Sequence, residues 1–557
     1  MSGAVKTEHE YQRWLGFRNM PEELLDDLYS APDIEDRFRC PLEFGTGGLR
    51  GVIGAGLNRM NIYTVAQATR GLCAYILAQG GPKSCAVAYD SRKNSLLFAQ
   101  TCAQILADKG VRVYMFPEPL PTPMLSYAVR RLGCSAGVVI TASHNPANYN
   151  GYKVYGPDGG QVTDAAAAAI YKAMQAYELL TNPDGDFEGS RKDGTISYVG
   201  RDIMEAYYND VLSLCVNRPR VPIKVAYSAL HGTGFVPVSE MMKMLGNIEL
   251  FSVPEQQEPD ASFHTCKSPN PEDPCAMALA IDKMLEHGCD LCIATDPDGD
   301  RAGVGIPDGS GGTRLLTGNE AGVLQLEYLC IARKQADALH KSPILLKTIV
   351  TTPMADEIAA CHGIQVENLL TGFKYIGERI TALAAAGEAE RFLFAFEESC
   401  GYLSGDFVRD KDAVIASMLI CEMASWYKQQ GKTLIEALDG LYLKYGYYKS
   451  ELLSHDFKGS EGIAITGRML NGLRSKRNDF MGRPIERYID YLNDETGLPK
   501  SNVVGLRLQD GGHVVARPSG TEPKLKLYLT VHADTREKSQ AAMDSLLELC
   551  RAWLADI

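Results

Sequence analysis

The sequence predicts an α/β protein: three similar α/β domains with mixed, largely parallel sheets, followed by a C-terminal α+β domain. Three observations lead to this prediction. Short apolar runs alternate with amphipathic stretches, and this pattern starts again twice along the chain. The C-terminal part instead has neighbouring strand-like runs followed by one long helix. Short runs rich in Val and Ile are typical of strands buried on both faces, with helices as the connections between parallel strands.

The first predicted domain, residues 1–219, shows the alternation clearly. The run CAVAY precedes a stretch with helical periodicity from Ser95 to Lys109, and the strand-like runs VRVYMF and SAGVVI follow. The pattern starts again in the second predicted domain, residues 220–340, with IKVAY, the Gly-rich loop SALHGTG and the run CDLCIAT. Each segment therefore resembles a βαβ unit.

The third predicted domain, residues 341–455, repeats the pattern with ILLKTIV, a helix from Met354 and the run RFLFAF. The fourth, residues 456–557, contains HVVARPSGT and KLKLYLTVHA, then one long helix over 534–554. Two neighbouring strand-like runs before a single helix favour antiparallel strands and an α+β domain.

The composition excludes several classes of protein. With 56 Lys+Arg against 69 Asp+Glu, the net charge is −13, which argues against a nucleic acid or an anionic membrane as partner. The chain contains no apolar run of about 18 residues, the length that a membrane span needs. Its first residues carry charges where a signal peptide would be apolar, so we expect a cytoplasmic protein.

The 15 cysteines are odd in number and scattered through apolar segments, which is typical of reduced core residues. Cys289 and Cys292 have CxxC spacing, but the sequence offers no second CxxC pair to complete a zinc site. A buried strand therefore explains this pair better than a zinc site does.

Polar loops follow several predicted strands. They are YDSRKNS, TASHNPANYNG, SALHGTG, ATDPDGDR and AFEESCGY. Ligands of parallel sheets bind beyond the carboxyl ends of the strands, so we expect the chemistry at these loops.

The loop DPDGDR carries carboxylates at alternate positions, Asp296, Asp298 and Asp300. Carboxylate oxygens suit a hard divalent cation such as Mg²⁺, which often completes its shell with phosphate oxygens. An EF-hand does not fit, because the loop follows a strand and lacks a Glu at the twelfth position. A solvated acidic turn is the alternative interpretation.

The motif RPSGTEPK combines Arg517 and Lys524 with two hydroxyls and a glycine, which suits a phosphate that is held rather than transformed. A polar turn between strands is the alternative.

In AFEESCGY, Glu397 and Glu398 could act as acid and base or bind sugar hydroxyls, and we favour binding. GTGGLRG and TGFKYIG are Gly-rich loops that offer one cation each, Arg50 and Lys374.

Ser143 and His144 are neighbours in TASHNPANYNG, which raises the question of a hydrolase pair. An adjacent histidine is badly placed to act as the base of this serine, and the GxSxG elbow is absent. Asn145-Pro146 favours a loop over a helix start. The acidic loop DPDGDR, several cations and the phosphate-binding motif RPSGTEPK (the phosphate clamp) together indicate phosphoryl transfer instead.

Taken in this order, TASHNPANYNGYK, DPDGDR, EESCGY and RPSGTEPK resemble the phosphoserine, metal, sugar and phosphate loops of the α-D-phosphohexomutase superfamily. GTGGLRG and TGFKYIG resemble its phosphoglucomutase and phosphopentomutase subgroup. The resemblance covers nearly the whole chain. It implies four domains around a central cleft, a phosphoserine carrier at Ser143, and Mg²⁺ as the cofactor.

The resemblance also implies roles for individual residues. The metal ligands would be Asp296, Asp298, Asp300 and a phosphate oxygen on Ser143. The catalytic residues would be Ser143, His144, Lys153, Arg50 and Lys411, the two lysines being candidates for proton transfer. The residues that bind substrate would be Arg301, Thr371, Lys374, Glu397, Ser399, Arg517, Ser519, Gly520, Thr521 and Lys524.

The activity that the resemblance implies is a phosphoglucomutase, an isomerase of carbohydrate metabolism. It would interconvert α-D-glucose 1-phosphate and D-glucose 6-phosphate, with glucose 1,6-bisphosphate as activator and intermediate. The alternative within the subgroup is a phosphopentomutase acting on ribose or deoxyribose phosphates. A metal-dependent phosphatase and a non-catalytic sugar-phosphate-binding protein are alternatives of other classes. The expected partner is a small-molecule sugar phosphate, and the expected state is a monomer or a weak homo-oligomer.

Overall fold

The computed structural model describes residues 3–45, 47–457, 462–475, 477–494, 496–518 and 524–555. The chain divides into two compact units. The first contains Met1–Thr317, Phe373–Phe392 and Ser399–Gln430, and the second contains Gly318–Gly372, Leu393–Glu398 and Gly431–Ile557.

The first sheet of the first unit has the strand order β1-β5-β4-β2-β3-β6. Its strands are β1 (Gly48–Val52), β2 (Ser84–Tyr89), β3 (Arg112–Met115), β4 (Ala136–Ile140), β5 (Tyr149–Tyr155) and β6 (Ile196–Tyr198). Strands β4, β2, β3 and β6 pair in parallel, whereas β5 is antiparallel to both of its neighbours. The helices are α1 (Gly3–Leu15), α2 (Glu22–Ser30), α3 (Ile34–Phe38), α4 (Ile62–Ala78), α5 (Ser95–Asp108), α6 (Thr122–Arg131), α7 (Asp164–Met174), α8 (Phe187–Lys192) and α9 (Arg201–Ser213).

Every residue of β2 and β4 is buried, so both faces of this sheet lie against apolar side chains. One core cluster joins strand residues such as Val87 and Val138 to Leu72 of α4 and Phe98 of α5. The apolar runs in the sequence are therefore central strands of the sheet, as predicted.

The second sheet of this unit has the order β11-β10-β9-β7-β8. Strands β8, β7 and β9 are parallel, and β10 is antiparallel to β9 and β11. The elements are β7 (Ile223–Ser228), α10 (Phe235–Leu245), β8 (Ile248–Ser252), α11 (Pro274–His287), β9 (Leu291–Thr295), β10 (Ala302–Pro307) and β11 (Thr313–Leu316).

The next segment contributes to both units. Helix α12 (Gly318–Gln335), β12 (Ile344–Thr348), α13 (Met354–His362) and β13 (Gln365–Leu369) belong to the second unit, as does nearly all of β14 (Phe392–Glu397). There the strand order is β13-β12-β14, with β12 and β13 parallel. Helix α14 (Phe373–Ala385), β15 (Gly401–Leu403) and α15 (Ala413–Gln429) belong to the first unit.

The C-terminal sheet lies in the second unit, in the order β16-β21-β20-β19-β18-β17, and its strands are antiparallel. Its core includes residues of α18, such as Met543 and Leu546. The elements are α16 (Leu434–Tyr445), β16 (Tyr447–Asp456), α17 (Gly462–Ser475), β17 (Asp479–Phe480), β18 (Arg483–Asp490), β19 (Val504–Leu508), β20 (His513–Pro518), β21 (Lys524–Ala533) and α18 (Arg536–Ala555).

The predicted fold class is confirmed, with mixed α/β sheets first and an antiparallel sheet at the C-terminus. Helices α5, α13 and α18 lie where the sequence indicates helices. The domain boundaries after residues 219, 340 and 455 stay predictions, as does the central cleft. Cys289 and Cys292 are buried before and within β9, and every cysteine of the chain is a free thiol. Among the described residues, helices long and apolar enough to span a membrane are absent.

Candidate active site

The acidic loop after β9 folds its carboxylates toward one point. Gly299, with φ of +62°, allows a tight turn in which its N–H donates to the carbonyl of Asp296 over 2.9 Å. The Asp296 Oδ1 atom accepts hydrogen bonds of 3.0 Å from the backbone N–H groups of Asp300 and Arg301. One oxygen atom each of Asp296, Asp298 and Asp300 then lies within 4.8 Å of the others, and all three side chains are buried.

These carboxylates fit a divalent metal. Within the described part of the chain, Asp298 Oδ1 and Asp300 Oδ1 are buried without a hydrogen-bond partner. Leaving a buried carboxylate oxygen unpaired is costly, and a cation would satisfy both atoms. Burial, followed by the charges of Asp300 and Asp298, raises the pKa of Asp296 well above its ordinary value. The Asp triad (Asp296, Asp298 and Asp300) could therefore hold a metal bound through oxygen.

Ser143 lies beside this triad on the loop after β4. Its Oγ donates a 3.0 Å hydrogen bond to Asp296 Oδ2, and Oγ lies 3.5 Å from Nδ1 of His144. Ser143 has φ of +53°, a conformation that is rare outside glycine, and its N–H is held by Thr141 Oγ1 at 2.8 Å. The structure therefore pairs the serine with a carboxylate of the metal loop more closely than with its neighbouring histidine.

The guanidinium group of Arg92 binds the backbone of the loop that carries Ser143, called here the serine loop (residues 141–149). It donates to the backbone carbonyl oxygens of Ser143, Asn145, Pro146 and Tyr149, the last two over 2.8 and 3.1 Å. Its Nε lies 3.2 Å from Oδ2 of Asp90, and both side chains are fully buried. The sequence prediction gave neither residue a role, although YDSRKNS follows a strand and places this charged pair at the sheet edge where chemistry is expected.

Two lysines approach the Asp triad from different elements. Lys153 Nζ, on β5, lies 2.8 Å from Asp298 Oδ2, and Lys411 Nζ lies 3.0 Å from Asp300 Oδ2 and from Asp410 Oδ1. Burial lowers the pKa of Lys153, but the charges of Asp298 and Asp300 outweigh it and leave this pKa above its ordinary value. Lys153 is therefore a cation at neutral pH.

Arg301 and Arg50 add positive charge to the same region. Arg301 Nη1 donates to the Ser399 carbonyl over 3.3 Å, and Arg50 Nη1 donates to Asn145 Oδ1 over 3.2 Å. Burial, then the charges of Arg301 and Arg50, hold the pKa of His144 well below its ordinary value. His144 is therefore neutral at pH 7, in an environment that suits an anion.

Lys374 lies in the same unit but pairs with a different element. Its Nζ is 2.6 Å from Oδ1 of Asp164, the first residue of α7, and the Lys374 side chain is almost fully buried whereas Asp164 is exposed. To bind sugar, as predicted, Lys374 would have to exchange its contact with Asp164 for a contact with the sugar.

The second unit contains Glu397 and Glu398 of the sugar motif and Arg517 of the phosphate motif. Glu397 is buried at the end of β14, and Thr348 Oγ1 donates to Glu398 Oε2 over 3.4 Å. Burial and the Glu398 carboxylate raise the pKa of Tyr528, whose hydroxyl also interacts with Arg517. The arginine of RPSGTEPK therefore lies near the glutamates of AFEESCGY.

Of the other residues predicted to bind substrate, Thr371 is half-buried in the loop between β13 and α14. Lys524 Nζ lies 3.2 Å from Oδ1 of Asp456 at the start of β21. Ser519, Gly520 and Thr521 lie outside the described residues. Their part in a phosphate clamp stays a prediction.

Three domain families match the chain. They are the phosphoglucomutase/phosphomannomutase alpha/beta/alpha domains I, II and III, over residues 41–181, 205–309 and 317–445. The Asp triad lies within the match to domain II, and Ser143 lies within the match to domain I. Together the matches cover more than half of the chain.

Curated relatives agree with this. The phosphoglucomutase of Staphylococcus haemolyticus (strain JCSC1435) is 36% identical over 543 residues, 94% of this chain and 97% of the relative. That of Staphylococcus aureus (strain USA300) is 36% identical over 549 residues, 95% and 97% of the two chains.

Two crystal structures share the fold. One is a phosphoglucomutase/phosphomannomutase family protein from Burkholderia thailandensis, with a TM-score of 0.68 and 19% identity over 92% of this chain and 97% of the other. The other is the open form of parafusin, a phosphoglucomutase from Paramecium, with a TM-score of 0.67 and 16% identity over 91% and 94%. By its domains and relatives, the chain belongs to the phosphoglucomutase/phosphomannomutase family of the α-D-phosphohexomutase superfamily.

Proposed function

We propose that this enzyme is a phosphoglucomutase, which interconverts α-D-glucose 1-phosphate and D-glucose 6-phosphate through a phosphoserine. The observation that carries the proposal is the position of Ser143 Oγ, 3.0 Å from Asp296 within a buried Asp triad surrounded by cations. Relatives named phosphoglucomutase at 36% identity over nearly the whole chain favour glucose over a pentose as the sugar.

The proposed reaction has two phosphoryl transfers. Phosphorylated Ser143 transfers its group to O6 of glucose 1-phosphate, whose hydroxyl loses a proton. The departing Ser143 Oγ takes up a proton, and this yields glucose 1,6-bisphosphate and free serine. The bisphosphate reorients, and Ser143 Oγ attacks the phosphorus on O1. The serine proton leaves as the phosphoryl group arrives, and the departing O1 of glucose takes up a proton. Glucose 6-phosphate is then released with the phosphoserine restored. A covalent carrier is needed because the two sugar oxygens are far apart.

We propose Asp296, Asp298 and Asp300 as the Mg²⁺ ligands. When bound, Mg²⁺ supplies charge neutralisation at the phosphoryl oxygens. Lys153 keeps its positive charge, so we assign it to stabilisation of the phosphoryl group together with Arg50 and Arg301.

For proton transfer we retain Lys411, which contacts Asp300 and Asp410. His144 is neutral and lies next to Ser143, where it can hydrogen-bond a phosphoryl oxygen.

The roles in substrate binding come from the family resemblance. Glutamate, hydroxyl and lysine side chains would bind the sugar, and cations and small residues would hold the phosphate that is not transferred. The first group is Thr371, Lys374, Glu397 and Ser399, and the second is Arg517, Ser519, Gly520, Thr521 and Lys524. The use of glucose 1,6-bisphosphate as activator, the cytoplasmic location and a monomeric or weakly oligomeric state remain proposals.

A substrate panel tests the proposal. Purified enzyme with Mg²⁺ and bisphosphate primer is assayed on glucose 1-phosphate and on ribose 1-phosphate, with release of inorganic phosphate measured in parallel. We expect a higher kcat/KM on glucose 1-phosphate and little phosphate release. Faster turnover of ribose 1-phosphate would indicate a phosphopentomutase, and phosphate release at the rate of turnover would indicate a phosphatase.

A further inference from the structure

A second cluster of metal-binding side chains lies outside the Asp triad. His231 follows β7, and Asp260 and His264 lie in the long segment between β8 and α11. One potential ligand atom of each residue lies within 4.8 Å of the others. In the described ranges of the chain, the Asp triad is the only other group of three that meets this condition.

The three side chains are held in place by hydrogen bonds from their surroundings. The buried imidazole of His231 hydrogen-bonds the backbone of Glu258, and its Nε2 lies 2.8 Å from Oγ1 of Thr265. Gln256 Nε2 in turn donates to the same Thr265 oxygen over 2.8 Å. A backbone partner on one ring nitrogen is how proteins orient a histidine whose other nitrogen binds a metal.

The carboxylate of Asp260 is oriented in a similar way. The N–H and hydroxyl groups of Ser262 donate to it over 2.9 and 2.8 Å, and His264 Nδ1 lies 2.6 Å from Asp260 Oδ2. The rings of His231 and His264 have their centroids 4.6 Å apart. His264 is 60% exposed, so one side of the cluster is open to an entering ion and to water ligands.

We propose that His231, Asp260 and His264 form a second metal site, selective for a borderline transition metal such as Zn²⁺ over Mg²⁺. Two imidazoles and one carboxylate with an open fourth position are a common zinc ligand set, whereas Mg²⁺ prefers oxygen ligands. Binding replaces the hydrogen bond between Thr265 and His231 with a metal–nitrogen bond, and the ion separates His264 from Asp260. The buried histidine provides a fixed anchor, and the exposed one closes on the ion.

An ion here would stiffen the segment that supports the serine loop. Ser268 Oγ donates to the His144 carbonyl over 3.0 Å, and the Arg92 guanidinium lies 5.0 Å from the centroid of the Phe263 ring. Arg92 is also the residue that binds the carbonyl oxygens of the serine loop. The site contacts no reacting atom, so its expected effect is on the mobility of this segment.

Zinc binding to the full-length enzyme in excess Mg²⁺ tests the proposal, measured by calorimetry and by metal content after desalting. We expect the wild type to bind one Zn²⁺ per chain, and Asp298→Asn to retain it. The affinity for Zn²⁺ should fall at least ten-fold in His264→Ala and in Asp260→Asn. It should be unchanged in the control His340→Ala, which alters an exposed histidine elsewhere. Co²⁺ should give the absorption bands of a four-coordinate nitrogen site, and His264→Ala should lack them. Hydrogen exchange of residues 260–268 should slow when Zn²⁺ is added.

Two results would overturn the proposal. One is zinc binding by His264→Ala and Asp260→Asn that equals that of the wild type. The other is loss of the zinc in Asp298→Asn, which would place the ion at the Asp triad. Because these readouts do not depend on turnover, they stand apart from the test of mutase activity.

Discussion

Replacing Arg92 with methionine should separate the support of the serine loop from its chemistry. The change removes the guanidinium contacts to four carbonyl groups and leaves Asp90 buried without its cation. Breaking a buried ion pair by removing one partner costs about 3–5 kcal/mol, and we expect a loss of this size in the free energy of unfolding. A reacting atom displaced by about 1 Å loses about 10²-fold in rate, so kcat should fall by about that factor.

The matched variant is Arg92→Met combined with Asp90→Asn, which removes the unpaired charge but does not restore the loop contacts. Denaturant unfolding and steady-state kinetics on glucose 1-phosphate are measured for both. We expect the double variant to regain much of the stability while kcat stays low and KM changes little, because Arg92 contacts the loop and not the sugar. Recovery of kcat together with stability would refute a positioning role, and so would a single variant with normal kcat.

Three further changes have defined outcomes. Lys153→Ala should lower kcat about 10²- to 10³-fold, because it removes a cation held 2.8 Å from Asp298, and an unchanged kcat would exclude its role in charge stabilisation. Burial raises the pKa of Asp412 to about 6 against 3.8 in the unfolded chain, so its contribution to stability is present at low pH and is lost as pH rises through 6. Relative to wild type, Asp412→Asn should therefore gain about 2 kcal/mol between pH 4 and pH 8 in denaturant unfolding, and a constant difference would contradict this. Asp164→Ala should free Lys374 from an ion pair whose carboxylate is exposed. Because Lys374 is then available to the sugar, KM should fall by up to about five-fold. A raised KM would show that Asp164 itself supports binding.

The fold class could be predicted because burial on both faces makes β2, β4 and β9 continuous apolar runs. Because ligands bind at the carboxyl ends of such strands, the loops that follow them led to Ser143 and the Asp triad as parts of one site. Spacing alone was enough to doubt a serine–histidine pair, and the structure gives the serine a closer partner in Asp296.

Other features depend on contacts between distant segments, which sequence patterns do not encode. Arg92 binds carbonyl groups about fifty positions along the chain, and backbone acceptors leave no sequence signal. The partnership of Lys374 with Asp164 and that of His231 with His264 depend on which loops the fold brings together.

The measurement that tests the central claim most directly is the fate of the phosphoryl group on Ser143. Wild type and Ser143→Ala are incubated with glucose 1,6-bisphosphate, and phosphate is located by intact mass and peptide mapping before glucose 1-phosphate is added. We predict one phosphate per chain on Ser143, transferred to the added sugar to form bisphosphate, and neither phosphorylation nor mutase activity in the variant. Full mutase activity in Ser143→Ala, or a transferable phosphate on another residue, would contradict the account.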